Sequence, residues 1–201
     1  RYNLNKKKII LGNGSDELIS ILAQTFLNSN DEAIYTEFGF LQFPQAIAIS
    51  GAKGIVANDI NFTANVDNIL SKINSKTKLI FLANPNNPTG TFISKKEIIR
   101  LHKSISSNIL LVYDAAYSEF VVNDDYIDGS ELADKYDNVI MLRTFSKLHG
   151  LASLRLGWGY ASENIILNLM KVRGPFSVNN AAIMAGVAAL EDLEFQKKSV
   201  E

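Results

Sequence analysis

A lysine flanked by hydroxyls and followed by an arginine can capture a carbonyl while an anion is held close by. The stretch RTFSKLHGLASLRLGWGY (143–160) offers that set: Thr144, Ser146, Lys147 and, eight residues beyond the lysine, Arg155. In a desolvated cleft an ammonium is disfavoured, so the pKa falls and the free amine attacks carbonyls. Hydroxyls donate hydrogen bonds, and the guanidinium fork matches phosphate. Lysine and arginine are also the usual occupants of a protein surface. Asp114 closes the run ILLVYD (109–114), where a carboxylate needs a cation or several donors. It could equally cap the turn that follows. Tyr117 lies three residues on, near enough for both to face one ligand.

Three further loops carry candidate groups. ANPNNPTG (83–90) combines two Asn-Pro pairs with Thr-Gly, a stiff and sharply turned segment in which either Asn-Pro bond can be cis. Its Asn87 offers both a donor and an acceptor. GNGSDEL (12–18) places Gly14, Ser15 and Asp16 at a helix start, where free N–H groups make an anion site. The plainer reading is a cap, with Ser15 as N-cap and Asp16 and Glu17 favourable in the first turn. TEFGF (36–40) holds Phe38, a flat platform for a ring or simply a core aromatic.

These loops follow short apolar runs. KIIL (8–11), EAIYT (32–36), KGIVA (53–57), KLIFLA (78–83), ILLVYD (109–114), VIML (139–142) and LGWGYA (156–161) read as strands. Helical patterns intervene at 15–27, 40–50, 66–73 and 95–106, and another closes the chain. The strands are continuously apolar rather than alternating, which marks burial on both faces. Strand–helix repetition implies an α/β fold: a mainly parallel sheet with helices on both faces. Ligands of such sheets bind beyond the carboxyl ends of the strands, where the candidate residues lie.

The totals bound the possibilities. With 201 residues, 47% hydrophobic, the chain suits one sizeable core. Lys+Arg 20 against Asp+Glu 21 leaves no broad basic footprint for nucleic acid, and KKK (6–8) reads as a solvated strand entrance. The lack of cysteine excludes disulfides and thiolate chemistry, and with two histidines no metal site is expected. No signal-peptide pattern is visible, and no run reaches the ~18 apolar residues of a membrane helix. AAIMAGVAAL (181–190) reads as a packed helix. The chain begins at Arg1 and ends at Glu201 within a helical pattern, the expectation being part of a longer protein.

Together the loops offer phosphate donors (Gly14, Ser15, Asp16 backbone, Ser146, Arg155), a stacking ring (Phe38) and partners for a phenolic oxygen (Asn87, Tyr117). They add a carboxylate for a pyridinium (Asp114) and an amine for an aldehyde (Lys147). Those are the needs of pyridoxal 5′-phosphate. NPNNPTG, then DAAY, then TFSK with an arginine eight residues past the lysine, resembles the fold-type-I pyridoxal-phosphate aminotransferases over nearly the whole chain. GNGSDE, EFGF, FLANPNNPTG and VRGPFSVN most resemble the branch acting on histidinol phosphate, although aromatic aminotransferases and threonine-phosphate decarboxylases share most of these motifs.

The resemblance implies that residues 1–201 are the cofactor-binding large domain, without the N-terminal arm and the small domain that grips the substrate carboxylate. It implies that Lys147 joins the cofactor's aldehyde and later shuttles a proton, and that Asp114 keeps the pyridine nitrogen protonated. Asn87 and Tyr117 bond the phenolic oxygen; Thr144, Ser146, Arg155 and the 14–16 turn hold the phosphate. Phe38 falls where a tyrosine or histidine commonly stacks. Glutamate, 2-oxoglutarate and histidinol phosphate are the expected partners, in a cytoplasmic homodimer with no nucleic acid or membrane. RGPFSVNN (173–180) resembles the segment near the subunit interface, with Arg173 serving that interface or the substrate. Another amino-acid reaction on the same cofactor, such as decarboxylation, is a rival. So is a non-catalytic regulatory module, against which counts the lack of a basic DNA-binding segment.

Overall fold

The computed structural model describes residues 4–201. Its seven strands are β1 (Ile9–Asn13), β2 (Glu32–Thr36), β3 (Lys53–Ala57), β4 (Thr77–Ala83), β5 (Leu110–Asp114), β6 (Val139–Thr144) and β7 (Leu156–Ala161). They form one sheet in the order β1-β7-β6-β5-β4-β2-β3. Neighbours from β3 to β6 pair in parallel, while β7 pairs antiparallel with both β6 and β1. The reversal at β7 has a simple cause. Residues 145–155 hold only a 3₁₀ turn, too short a link for the crossover that a parallel partner needs.

The mainly parallel sheet expected from the continuous apolar runs is therefore present. Within β4, Leu79 and Phe81 join one core cluster while Ile80 and Leu82 join the other, all four fully buried. This is the period-two geometry of a strand covered on both faces. One face is packed by α1 (Ser15–Phe26), α2 (Gln42–Ile49) and α6 (Glu163–Val172), through Leu18, Leu22, Phe43 and Leu169. The other is packed by α3 (Val66–Ser71), α4 (Lys95–Ser104) and α5 (Ser130–Lys135), through Ile69, Ile98, Leu101 and Leu132.

Several local readings change. The lysines at 6–8 form a 3₁₀ turn capped by the Asn5 side chain, so the first strand starts at Ile9. Helices α5 and α6 lie in segments with no helical expectation. The closing helical run splits into α7 (Asn180–Glu191) and α8 (Leu193–Val200), because Asp192 turns its carboxylate onto the Phe195 N–H at 2.9 Å. Nor is α7 a packed helix: it buries only Ala182 and Gly186, while Met184 is 72% exposed and Val187 55%. Its small residues meet Phe145 and Leu156, and its larger ones face outward. Among the described residues no helix is long and apolar enough to cross a membrane.

Candidate active site

The carboxyl ends of β1, β2, β4, β5 and β6, together with the start of β7, share one edge of the sheet. A cleft of about 150 Å³ opens there, lined by residues from all five preceding loops. Ser15, Asp16, Asn87, Asp114, Tyr117, Thr144, Ser146, Lys147 and Arg155 all line it. Two candidates lie just outside the lining, Gly14 and Phe38.

At one end α1 starts on Gly14, which is its N-cap in place of Ser15. Gly14 has φ +79°, and a β-carbon there would collide with the Arg155 guanidinium. A β-carbon on Gly157 would strike the backbone of Gly14 and Ser15. The two glycines let the corner after β1 press against β7 and Arg155. Glu17 turns back to accept from the Asn13 N–H at 2.6 Å, away from the cleft. Asp16 instead faces inward and accepts from Arg155 Nη2 at 2.9 Å. Arg155, itself at φ +58°, donates through Nη1 to the Ala152 carbonyl at 2.8 Å and the Ser146 hydroxyl at 3.4 Å. Guanidinium, hydroxyl and the opening N–H groups of α1 converge as an anion site would require.

Three asparagines of the loop after β4 take three different tasks. Asn84 is buried and satisfied on every side. Its Nδ2 donates to Tyr113 Oη at 2.8 Å and the Ile93 carbonyl at 3.2 Å, and its Oδ1 accepts from the Ile93 N–H at 2.9 Å. Asn86 donates from Nδ2 to the Phe38 carbonyl at 3.0 Å and Thr89 Oγ1 at 2.9 Å. Asn87, half-buried, is left to face the cleft. Both Asn84–Pro85 and Asn87–Pro88 are cis.

Asp114 sits at the centre, 4% exposed, accepting from the Ala116 N–H at 3.0 Å. Burial pushes its carboxyl up to about 6, the negative charge of Asp16 adding to the rise while the Ala116 N–H and the charge of Lys147 oppose it. Lys147 Nζ lies 5.0 Å from the centre of the Tyr117 ring. Lys147 is exposed rather than desolvated. The Thr144 hydroxyl reaches the Leu156 carbonyl at 3.5 Å and accepts from the Ser146 N–H at 3.1 Å, bracing the turn that carries the lysine.

The phenylalanine in the lining is Phe40, not Phe38. The chain after β2 turns back, Gly39 N–H to the Thr36 carbonyl at 3.0 Å, and this aims Phe38 at Phe62, their ring centres 5.2 Å apart. Sequence reading passed over Phe40, Asn84, Asn86 and Gly157, and took the Asp16 carboxylate for a first-turn acid rather than a partner of Arg155. The signals for them were the second phenylalanine of FGF, the surplus asparagines of NPNNPTG and the GWG triplet. Arg173 donates to the Leu11 carbonyl at 2.8 Å, tying the end of α6 to β1. His149 is buried against Phe145, with ring centres 4.7 Å apart, outside the cleft lining.

Chemically, one cleft offers an anion cradle, a buried carboxyl group and an amine. The chain is similar to the histidinol-phosphate aminotransferase of Maricaulis maris (strain MCS10), 49% identical over 198 residues, covering 98% of this chain and 55% of that protein. It is 45% identical over 199 residues to the enzyme of the same name from Rhodospirillum centenum (strain ATCC 51521 / SW), covering 99% and 55%. A crystal structure of histidinol-phosphate aminotransferase from Sinorhizobium meliloti in complex with pyridoxal-5′-phosphate superposes with a TM-score of 0.91 at 25% identity, covering 96% of this chain and 53% of that one. The chain thus spans about half the length of the relatives it matches. With residues 1–201 matching the family model for aminotransferase class I and II, the chain belongs to that family.

Proposed function

We propose that the protein is a pyridoxal-phosphate-dependent aminotransferase of histidine biosynthesis, exchanging an amino group between histidinol phosphate and 2-oxoglutarate, and that residues 1–201 are its cofactor-binding large domain. The observation that carries this reading is the shared cleft: Lys147 and the buried Asp114 face it from the ends of different strands, with Arg155 and Ser146 at its anion-binding end. The similarity to enzymes named for histidinol phosphate supports the choice of substrate.

The residues fit the cofactor. The cradle at Gly14 and Gly157 admits no side chain yet presents N–H groups, a hydroxyl and a guanidinium, a donor set suited to phosphate. The buried Asp114 carboxyl, held near 6, makes no direct ion pair among the described residues, and a pyridinium nitrogen would supply one. Pyridoxal phosphate, when bound, supplies an electron sink for the pair left at the substrate α-carbon.

The remaining work falls to the chain's own side chains. Lys147 would hold the cofactor's aldehyde carbon through Nζ and, when its amine is free, would serve as the base for the proton at the substrate α-carbon. Asp114 would hold a proton at the ring nitrogen. Asn87 and the Tyr117 hydroxyl would bond the phenolic oxygen, and Arg155, Ser146 and residues 14–16 would anchor the phosphate, with Thr144 bracing their turn. Phe40 forms the wall of the ring site and Phe38 its rim. We assign the protein to the cytoplasm as a homodimer acting on small molecules, with neither nucleic acid nor membrane as partner.

The test is spectroscopic. Addition of pyridoxal phosphate should produce a visible absorption band that borohydride removes, leaving the cofactor's mass on Lys147; Lys147→Ala should show neither. The natural protein should release glutamate from histidinol phosphate and 2-oxoglutarate. A protein that stays colourless with excess cofactor would end the reading, and no glutamate, with carbon dioxide released from an amino-acid phosphate instead, would favour a decarboxylase.

A further inference from the structure

Asp16 stands out in the anion cradle because it is itself an anion. Its neighbour Glu17 is turned away onto the Asn13 N–H, whereas the Asp16 carboxylate enters the cleft and occupies Arg155 Nη2 at 2.9 Å. Nη1 is fixed by the Ala152 carbonyl at 2.8 Å and reaches the Ser146 hydroxyl at 3.4 Å, so Nη2, beside Gly14, is the end that Asp16 holds. The pair is half-exposed, with side-chain exposures of 36% for Arg155 and 46% for Asp16. An ion pair that open to water is weak and readily exchanged for a doubly charged partner.

We propose that Asp16 is a resident competing anion, which occupies the cradle's guanidinium when no phosphate is bound and so lowers the affinity of the site for a phosphate group. This rests on the reading of the Arg155 end as a phosphate cradle. Two physical effects act in the same direction. A phosphate entering beside Arg155 must take over a hydrogen bond now made to Asp16, and it must then sit near a carboxylate of its own sign. The charge of Asp16 is already felt across the cleft, since it adds to the upward push on the Asp114 carboxyl. Asp16 thus sets how tightly the cradle holds any phosphate group, and it yields to a ligand whose other groups are engaged by Lys147 and Asp114.

The experiment measures binding of inorganic phosphate, pyridoxal phosphate and phosphate-free pyridoxal to wild type, Asp16→Asn and Glu17→Gln by calorimetry. Both variants remove one carboxylate from the first turn of α1, but only Asp16 faces the cradle. Asp16→Asn should bind inorganic phosphate and pyridoxal phosphate about tenfold more tightly, a difference of about 1.4 kcal/mol. Pyridoxal affinity should stay unchanged, and Glu17→Gln should stay within about twofold of wild type throughout. Asp16→Ala serves as a second variant, and far-UV circular dichroism verifies folding of each. Equal or weaker phosphate binding by Asp16→Asn, or an equal gain in Glu17→Gln, overturns the proposal while leaving the cradle intact. Wild type that binds neither phosphate nor pyridoxal phosphate overturns the cradle, and the proposal with it.

Discussion

Asp114 carries a cost that its neighbours only partly relieve. Burial holds its carboxyl near 6, above the ordinary 3.8, so the folded protein keeps a proton that the unfolded chain releases between those values. The favourable contribution is complete below about pH 4 and is lost as pH rises through about 6, leaving a cost of about 3 kcal/mol at neutral pH. Asp114→Asn should therefore stabilise the cofactor-free protein by up to about that amount at pH 8 and by nearly nothing at pH 4. Urea denaturation at the two pH values is the check; the same gain at both would show that charge is not the cause. Such a cost is expected of a group kept for its chemistry, and a bound pyridinium would offset it.

At the scale of elements, the site depends on how closely β7 can approach the corner between β1 and α1. Gly157 permits that approach, because a methyl group there meets main-chain atoms of Gly14 and Ser15, which cannot rotate aside. Gly157→Ala should cost roughly 1–3 kcal/mol and weaken phosphate binding, since the corner must retreat from Arg155. Gly174→Ala, whose methyl would meet nothing within 4 Å, is the control and should be near neutral. Thermal denaturation of the pair settles it: equal melting temperatures would mean that β7 and the corner are not in register through Gly157. Asn84 does comparable work from the other side, binding the loop after β4 to Tyr113, Ile93 and Tyr126 so that Asn87 is presented to the cleft.

For the whole molecule, the outward side of α7 and its flanks is the feature least like a finished surface. Phe176 is 97% exposed, Met184 72%, Leu193 66% and Val187 55%. Where exposed apolar groups form one contiguous patch they mark a contact region. Sedimentation should find dimers at micromolar concentration, and Val187→Glu should weaken association at least about tenfold without changing the circular dichroism. A wild-type monomer under those conditions would remove the homodimer from the proposed function.

The sequence by itself determined the mainly parallel sheet, because continuous apolar strands separated by helical patterns have one economical way to bury both faces. It also determined which loops meet, since the ends of parallel strands share an edge. The chemical types of Lys147, Asp114, Asn87, Tyr117, Ser146 and Arg155, and their gathering at that edge, were legible for this reason. Tertiary structure alone decided where side chains point. Phe40 rather than Phe38 lines the cleft, Lys147 stays open to water, and α7 turns its larger apolar residues outward. The hydrogen bond between Asp16 and Arg155 joins residues 139 apart in the chain. No local pattern can specify such a contact, because it arises only where the folded sheet brings the first corner against the start of its seventh strand.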